Sequence, residues 1–207
     1  MSFVQDKPKK IVFFGDSITQ AGVGASGYIT KISQKLEAKG LKSAFELIGA
    51  GISGNKIYDL YLRMPEDVLA KSPDMVFIYI GVNDVWHRNT SGTGTDIDKF
   101  EKFYNALIKK LKENNCKVVL CTPACIGERT DFTNAQDGDL NNFSSKIRSI
   151  AKKNDCSLVD LRKIFLDYNL SNNPDNKESG ILTTDRVHLN DKGNDTVASA
   201  MLEIMLK

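Results

Sequence analysis

An apolar run passes directly into a polar turn at Ile11-Val12-Phe13-Phe14-Gly15-Asp16-Ser17-Ile18-Thr19. The first four residues of this stretch form the apolar run, with β-branched and aromatic members, which is typical of a short strand buried on both faces. The glycine, aspartate, serine and threonine that follow are residues that turn a chain and cap a helix. The stretch therefore predicts that Ser17 lies just past the carboxyl end of a central strand, where open α/β sheets bind their ligands.

Ser17 has two interpretations at this position. On a tight turn between a strand and a helix, its hydroxyl and its own backbone N–H can point toward one place, which suits a nucleophile. Alternatively, Ser17 only caps the following helix, because serine and aspartate are common at helix N-termini. The stretch alone does not decide between them.

Strand and helix patterns alternate along the rest of the chain. Further strands are predicted at 45–48, 75–80, 117–121 and 157–160, and helices at 27–39, 56–64, 97–114, 140–153, 161–168 and 192–206. This alternation indicates a parallel sheet with helices on both faces, so we expect a five-stranded, three-layer α/β/α fold. The 207 residues fit one domain, predicted to span 1–207.

Two further segments are each predicted from one local feature of the sequence. Pro65 is expected to end the helix that begins near residue 56, since proline has no backbone N–H to donate. The segment from Trp86 and His87 into the Ser/Gly/Thr-rich residues 90–95 is expected to be a loop.

The charge balance argues against nucleic acid and membrane partners. With 28 basic and 26 acidic residues the formal net charge is only +2, too little to indicate binding to a polyanion. No apolar run approaches the roughly 18 residues that span a bilayer. Residues 1–10 contain no apolar signal-peptide core, so a cytoplasmic location is expected.

The four cysteines do not form a metal-binding pattern. Cys116, Cys121, Cys125 and Cys156 include no Cys-x-x-Cys pair, and the chain has only two histidines. We expect them to be small residues in or near strands, as free cysteines often are. A Cys121–Cys125 disulfide and a zinc site are the alternatives.

Three predicted strand ends carry glycine beside a polar residue. They are Gly15-Asp16-Ser17, Ser53-Gly54-Asn55 and Gly81-Val82-Asn83-Asp84. The carboxyl ends of parallel strands lie on one rim, so these turns can converge. Asp185-Arg186-Val187-His188 comes just before the last helix, and Asp185 could there hold His188 toward the same rim.

These four segments resemble the motifs of the SGNH hydrolases, also called the GDSL esterase/lipase family, in order and spacing along nearly the whole chain. Ile18 stands where many members have leucine. The resemblance implies the flavodoxin-like strand order 2-1-3-4-5 and a structural role for Asp16 in holding the nucleophile turn. The loops 124–137 and 169–184 match no motif of the family.

The residue types fit acyl transfer to and from a serine. A serine hydroxyl needs a base, and His188 can supply one, since an unperturbed imidazole titrates near ~6.5. Asp185 would orient that imidazole. Negative charge on the ester oxygen would be met by the N–H groups of Ser17 and Gly54 and by the Asn83 amide, glycine at 54 allowing close backbone approach.

The sequence therefore predicts a serine esterase without a metal or organic cofactor, acting on a small ester. A short acyl group, such as acetyl on a carbohydrate, is expected because no apolar lid is evident. The alternatives are an acyltransferase that uses the same acyl-enzyme, a lysophospholipase or thioesterase, and a non-catalytic binding module. The sequence does not indicate the oligomeric state.

Three further residues near the motifs have competing interpretations. Asp84 is predicted to form a turn rather than to act in catalysis. His87 is the only rival base, but we expect it to face solvent, since no carboxylate is placed to orient it. Trp86 could line an acyl or sugar pocket or be partly buried in the core.

Overall fold

The structure is a computed structural model that describes residues 7–207. Its five strands are β1 (Lys9–Gly15), β2 (Phe45–Gly51), β3 (Met75–Tyr79), β4 (Lys117–Cys121) and β5 (Ser157–Val159). They form one parallel sheet in the order β2-β1-β3-β4-β5, which confirms the predicted order. The prediction about a leader in residues 1–10 falls largely outside the described residues.

The part of the chain that the structure describes also forms eight α-helices, which follow or connect the strands. They are α1 (Ser17–Ala21), α2 (Tyr28–Ala38), α3 (Ile57–Asp67), α4 (Val82–Ser91), α5 (Ile97–Glu113), α6 (Asp137–Lys153), α7 (Leu161–Asn172) and α8 (Asp191–Met205), with 3₁₀ turns at Lys42–Ala44 and Leu69–Lys71. Helix α2 packs against α8, and α3 packs against α5, which also contacts α6. The sheet thus lies between two helix layers. Within residues 7–207, we find no helix long and apolar enough to cross a membrane.

The central strands form the core because their side chains are apolar on both faces. Residues 11–15 of β1 and all of β3 are buried. The Phe13 and Phe77 rings stack across the two strands at 5.2 Å between centroids. Three cysteines are buried and all four are free thiols, so the predicted alternative of a Cys121–Cys125 disulfide is wrong.

The strand register aligns the carboxyl ends. Gly15 pairs with Gly51 on one side and with Tyr79 on the other. Tyr79 pairs in turn with Cys121, and Cys121 with Val159. The residues that follow this row therefore leave the sheet at one edge, which places the motif turns side by side.

Two local predictions are wrong. Pro65 lies inside α3, which continues to Asp67, because the buried side chains of Ile57, Leu60 and Met64 stabilise the helix despite the missing N–H. The segment with Trp86 and His87 is helix α4 rather than a loop. Two sequence features favour this helix. Asp84 is an acidic residue in its first turn, and Gly92 ends it with a left-handed backbone conformation.

Candidate active site

The turn between β1 and α1 presents Ser17. Ser17 is the first residue of α1, and Asp16 caps the helix because its Oδ1 accepts the N–H of Ile18 at 3.0 Å. A Cβ on Gly15 would lie 2.4 Å from the carbonyl oxygen of Tyr79, so only glycine fits this tight turn. The Ser17 N–H has no partner within the helix, since it belongs to the first turn.

Asp16 is almost completely buried behind this turn. Burial raises its pKa to about 7, the hydrogen bond from Ile18 opposes that rise, and the nearby Asp84 carboxyl adds to it. Asp16 thus contacts the backbone of the turn that carries Ser17.

Ser17, His188 and Asp185 are joined by hydrogen bonds. The Oγ of Ser17 lies 3.0 Å from Nε2 of His188, and Nδ1 of His188 lies 2.7 Å from Oδ2 of Asp185. An ionised carboxylate only accepts hydrogen bonds, so Nδ1 of a neutral His188 carries the proton and Nε2 is free to accept from Ser17.

Asp185 is held by the backbone that follows it. Its Oδ1 accepts the N–H of His188 at 2.8 Å and of Val187 at 3.1 Å. Partial burial would raise the pKa of Asp185, but the hydrogen bonds donated by His188 and Val187 outweigh it and lower the pKa below its ordinary value. Asp185 is therefore a carboxylate at neutral pH.

Gly54 and Asn83 lie on adjoining segments of the rim. Gly54 has a φ of +77° and no protein atom within 4 Å of an added Cβ, so glycine is needed here for the backbone conformation rather than for a close protein contact. Asn83 is buried in the first turn of α4, and its Nδ2 donates to the carbonyl of Asn55, the residue after Gly54, at 3.1 Å.

Arg63 ties the rim together and was not singled out from the sequence. From α3 its guanidinium donates to the carbonyl of Gly15 at 2.7 Å, to the carbonyl of Ala50 at 3.0 Å and to Oδ1 of Asn55 at 2.7 Å. It also pairs with Asp67 at 2.6 Å. One side chain thus connects the nucleophile turn to the Gly54 loop.

Asp84 is a buried carboxyl rather than a turn former. It lies in the first turn of α4, and its Oδ1 accepts the N–H of Ile57 at the start of α3. Burial raises its pKa to about 6, while the nearby Thr95 hydroxyl, the hydrogen bond from Ile57 and the charge of Lys56 act to lower it. These contacts support the expectation that Asp84 is not part of the Ser17–His188 relay.

His87 and Trp86 flank the relay on α4. His87 is half-buried, contrary to the expected solvent-facing loop position, and its pKa is lowered by burial and by Lys56. His188, not His87, contacts Ser17. The Trp86 ring meets the His188 ring edge-on with 6.2 Å between centroids, so Trp86 borders the relay as well as the core.

The profile of the GDSL-like Lipase/Acylhydrolase family matches residues 13–196 of this chain. The chain belongs to this family.

Relatives within the family include esterases of acetylated xylan. The acetylxylan esterase of Geobacillus stearothermophilus is 29% identical over 94% of this chain and 92% of its own length. The crystal structure of the acetyl xylan esterase AlAXEase is 62% identical, with a TM-score of 0.93 over 94% of this chain and 98% of that chain.

Solved structures of one acetylxylan esterase carry replacements at its catalytic residues. Axe2, an acetylxylan esterase from Geobacillus stearothermophilus, is 27% identical, with a TM-score of 0.83 over 94% of this chain and 93% of that chain. Its solved catalytic mutants replace a serine, a histidine and an aspartate by alanine. With the family and these relatives, this GDSL-like chain is a serine esterase, a hydrolase of carboxylic esters.

Proposed function

We propose that this esterase removes acetyl groups from acetylated xylan or xylo-oligosaccharides through an acyl-enzyme on Ser17. The observation that carries the mechanism is the continuous relay from Ser17 Oγ to His188 Nε2 at 3.0 Å and from His188 Nδ1 to Asp185 Oδ2 at 2.7 Å. This is the arrangement that nucleophilic catalysis by serine requires.

In the first half of the reaction, Ser17 Oγ attacks the acetyl carbon and its proton passes to His188 Nε2. Asp185 stabilises the imidazolium that forms. When the tetrahedral intermediate collapses, the bond from the acetyl carbon to the sugar oxygen breaks and the proton moves from His188 to that oxygen. The sugar leaves with a free hydroxyl, and Ser17 carries the acetyl group.

In the second half, water replaces the sugar. His188 takes a proton from the water, whose oxygen attacks the acetyl carbon of the acyl-enzyme. Collapse of the second intermediate breaks the bond to Ser17 Oγ, which recovers its proton from His188. Acetate is released and the free enzyme is restored.

The negative oxygen of both intermediates is met by three donors in this proposal. These are the backbone N–H groups of Ser17 and Gly54 and the side-chain amide of Asn83. The Nδ2 group of Asn83 has two hydrogens and gives one to Asn55, so one remains for the oxyanion. The bond to Asn55 also holds the amide in place before substrate arrives, which is how such donors lower a barrier.

The relay is exposed to solvent, which suits an ester substrate whose alcohol part is large. The side chains of His188 and Asp185 are 36% and 51% exposed, so the relay lies at the surface rather than at the end of a tunnel. A small acyl group on a large, hydrated sugar chain fits such a site. The 62% identity with AlAXEase over nearly the whole chain supports acetyl xylan as the substrate class.

The test is acetate release from acetylated xylo-oligosaccharides, compared with hydrolysis of p-nitrophenyl esters of increasing chain length. We expect the highest kcat/KM for acetyl esters and loss of both activities in Ser17→Ala. A preference for chains beyond about eight carbons would overturn the acetyl assignment while leaving the esterase in place. Transfer of acetyl to added sugars in place of water would identify the alternative, an acyltransferase.

A further inference from the structure

The two loops that match no family motif are joined by a buried carboxylate. Glu128, in the loop between β4 and α6, is 1% exposed. Its Oε1 accepts the backbone N–H groups of Leu182 at 2.6 Å and Thr183 at 2.9 Å, and its Oε2 accepts that of Ile181 at 2.9 Å. Three consecutive N–H groups therefore converge on one carboxylate, and they end two residues before Asp185.

Backbone contacts of Gly127 and of Glu128 itself join the same two loops. The N–H of Gly127 donates to the carbonyl of Arg186 at 2.9 Å, and the N–H of Glu128 donates to the carbonyl of Glu178 at 3.0 Å. The segment 127–128 thus runs against the loop that carries Asp185 and His188, both before and within the Asp-x-x-His motif.

The loop that bears Glu128 is itself anchored to the core. Arg162 is 2% exposed and donates to the carbonyl of Ala124 at 3.3 Å and to Oδ1 of Asp137 at 2.7 Å. These two residues lie at either end of the loop. Glu128 therefore projects from a segment that is fixed at both ends, which makes it a firm support for the neighbouring loop.

We propose that Glu128 is a positioning residue that sets the placement of Asp185 and His188 against Ser17. This inference rests on the proposed roles of those three residues. A carboxylate can accept all three N–H groups, whereas a neutral amide of the same shape would turn its NH₂ group toward at least one of them. Loss of this support lets the Asp185–His188 loop shift, and a misplacement of about 1 Å can cost roughly 100-fold in rate.

The test compares Glu128→Gln with Glu178→Gln. Glu178 is only partly buried and pairs with Arg129 and Arg186 on the same two loops, so the control removes the same charge without touching the buried acceptor. Rates are measured with p-nitrophenyl acetate and divided by the fraction of Ser17 that a fluorophosphonate labels. We expect kcat of Glu128→Gln to fall roughly 10- to 100-fold with KM changed less than about 3-fold, and Glu178→Gln to match the parent.

A second comparison separates positioning from mere stabilisation. If Glu128 acts through Asp185, its replacement in an Asp185→Asn background lowers kcat far less than it does in the parent. The same fold-loss in both backgrounds would overturn the proposal. The downfield proton resonance of the protonated His188 Nδ1–H should also weaken in Glu128→Gln and persist in Glu178→Gln.

The outcome for Glu128 is distinguishable from failure of the proposed function. If Asp185→Asn and His188→Ala keep full activity, the proposed function fails. If they lose activity but Glu128→Gln keeps the parent kcat, only the positioning role fails. Should Glu128→Gln not fold, Glu128→Asp keeps the charge and withdraws it by one methylene, and an unchanged kcat for that variant would overturn the inference.

Discussion

The Oγ of Ser17 and the Nε2 of His188 lie 3.0 Å apart although 171 residues separate them in the sequence. Ser17 leaves the sheet at the end of β1, and His188 comes just before α8. The parallel sheet places the Ser17 turn at the edge where its strands end. Helix α8, which follows His188, packs against α2, which follows the Ser17 turn, and this packing brings the two residues together. The chemistry of the site thus depends on the strand order.

Replacement of Asp185 by asparagine should lower kcat with little change in KM. An asparagine amide can donate to Nδ1, which leaves the proton on Nε2 and removes the base that faces Ser17. We expect a loss on the order of 10³- to 10⁴-fold, as for other serine triads. Asp191→Asn is the matched control, since Asp191 is exposed at the start of α8 and pairs with Lys31. A loss below about 3-fold for Asp185→Asn would contradict the assigned role.

Gly54→Ala should lose both stability and activity. Alanine at a φ of +77° costs about 1–2 kcal/mol of backbone strain, and the strain moves the N–H that we assign to the oxyanion. Gly92→Ala is the control, because Gly92 has a φ of +66° and equally open surroundings. Urea unfolding should show similar destabilisation for both variants. Only Gly54→Ala should also lose kcat, by roughly 10²-fold, and equal kcat in the two variants would argue against Gly54 as a donor.

Asp16→Asn should stabilise the protein at alkaline pH. The folded-state pKa of about 7 exceeds the ordinary 3.8, so the folded state binds this proton more tightly, and the parent loses stability as pH rises between those values. Asparagine does not titrate and can still accept the N–H of Ile18. We expect the free energy of unfolding of Asp16→Asn to exceed that of the parent only slightly near pH 4. Above pH 8 the difference should grow to on the order of 4 kcal/mol.

Urea unfolding from pH 4 to 9 measures this difference. Asp195→Asn is the control, and it should lower the free energy of unfolding instead of raising it. The hydrogen bond from Lys35 lowers the pKa of Asp195, so the ionised carboxylate stabilises the fold at pH values above its ordinary pKa. A stability difference between Asp16→Asn and the parent that does not change with pH would show that Asp16 is not a buried carboxyl of raised pKa.

The alternating strands and helices follow from local sequence patterns, whereas the central relay was predicted with the help of a family resemblance. The apolar runs of β1 and β3 predict buried strands because each side chain on both faces must meet a hydrophobic neighbour. Ser17 and the Asp185–His188 pair were predicted from four short motifs whose order resembles that of the SGNH hydrolases, since the stretch around Ser17 alone does not distinguish a nucleophile from a helix cap. Helix α4 was missed because its buried apolar side chains, Val82 and Val85, are confined to its first turn, which is too short a pattern to predict a helix.

The supports of the site could not be predicted. Arg63 contacts Gly15, 48 residues away, and Glu128 contacts the segment before Asp185 more than 50 residues away. Such contacts join a polar side chain to backbone groups, which every residue has. They therefore leave no periodic pattern in the sequence, and only the folded arrangement shows them.

Arg63→Lys should weaken the contacts that hold the nucleophile turn against the Gly54 loop. A lysine ammonium cannot reproduce the planar fork that serves Gly15, Ala50 and Asn55 together. We expect the free energy of unfolding to fall by about 2 kcal/mol and kcat/KM to fall roughly 10-fold. Arg148→Lys is the control, because Arg148 forms a bidentate pair with Asp160 and is not in contact with the Ser17 turn. Parent-like kcat/KM in Arg63→Lys would mean that Arg63 stabilises the fold without supporting the site.

The most direct test of the account is fluorophosphonate labelling followed by peptide mapping in a mass spectrometer. The account predicts one phosphonyl group per chain, located on Ser17, with esterase activity lost in proportion to labelling and no label in Ser17→Ala. Full inactivation with the label on another residue, or full activity with Ser17 completely labelled, would contradict it.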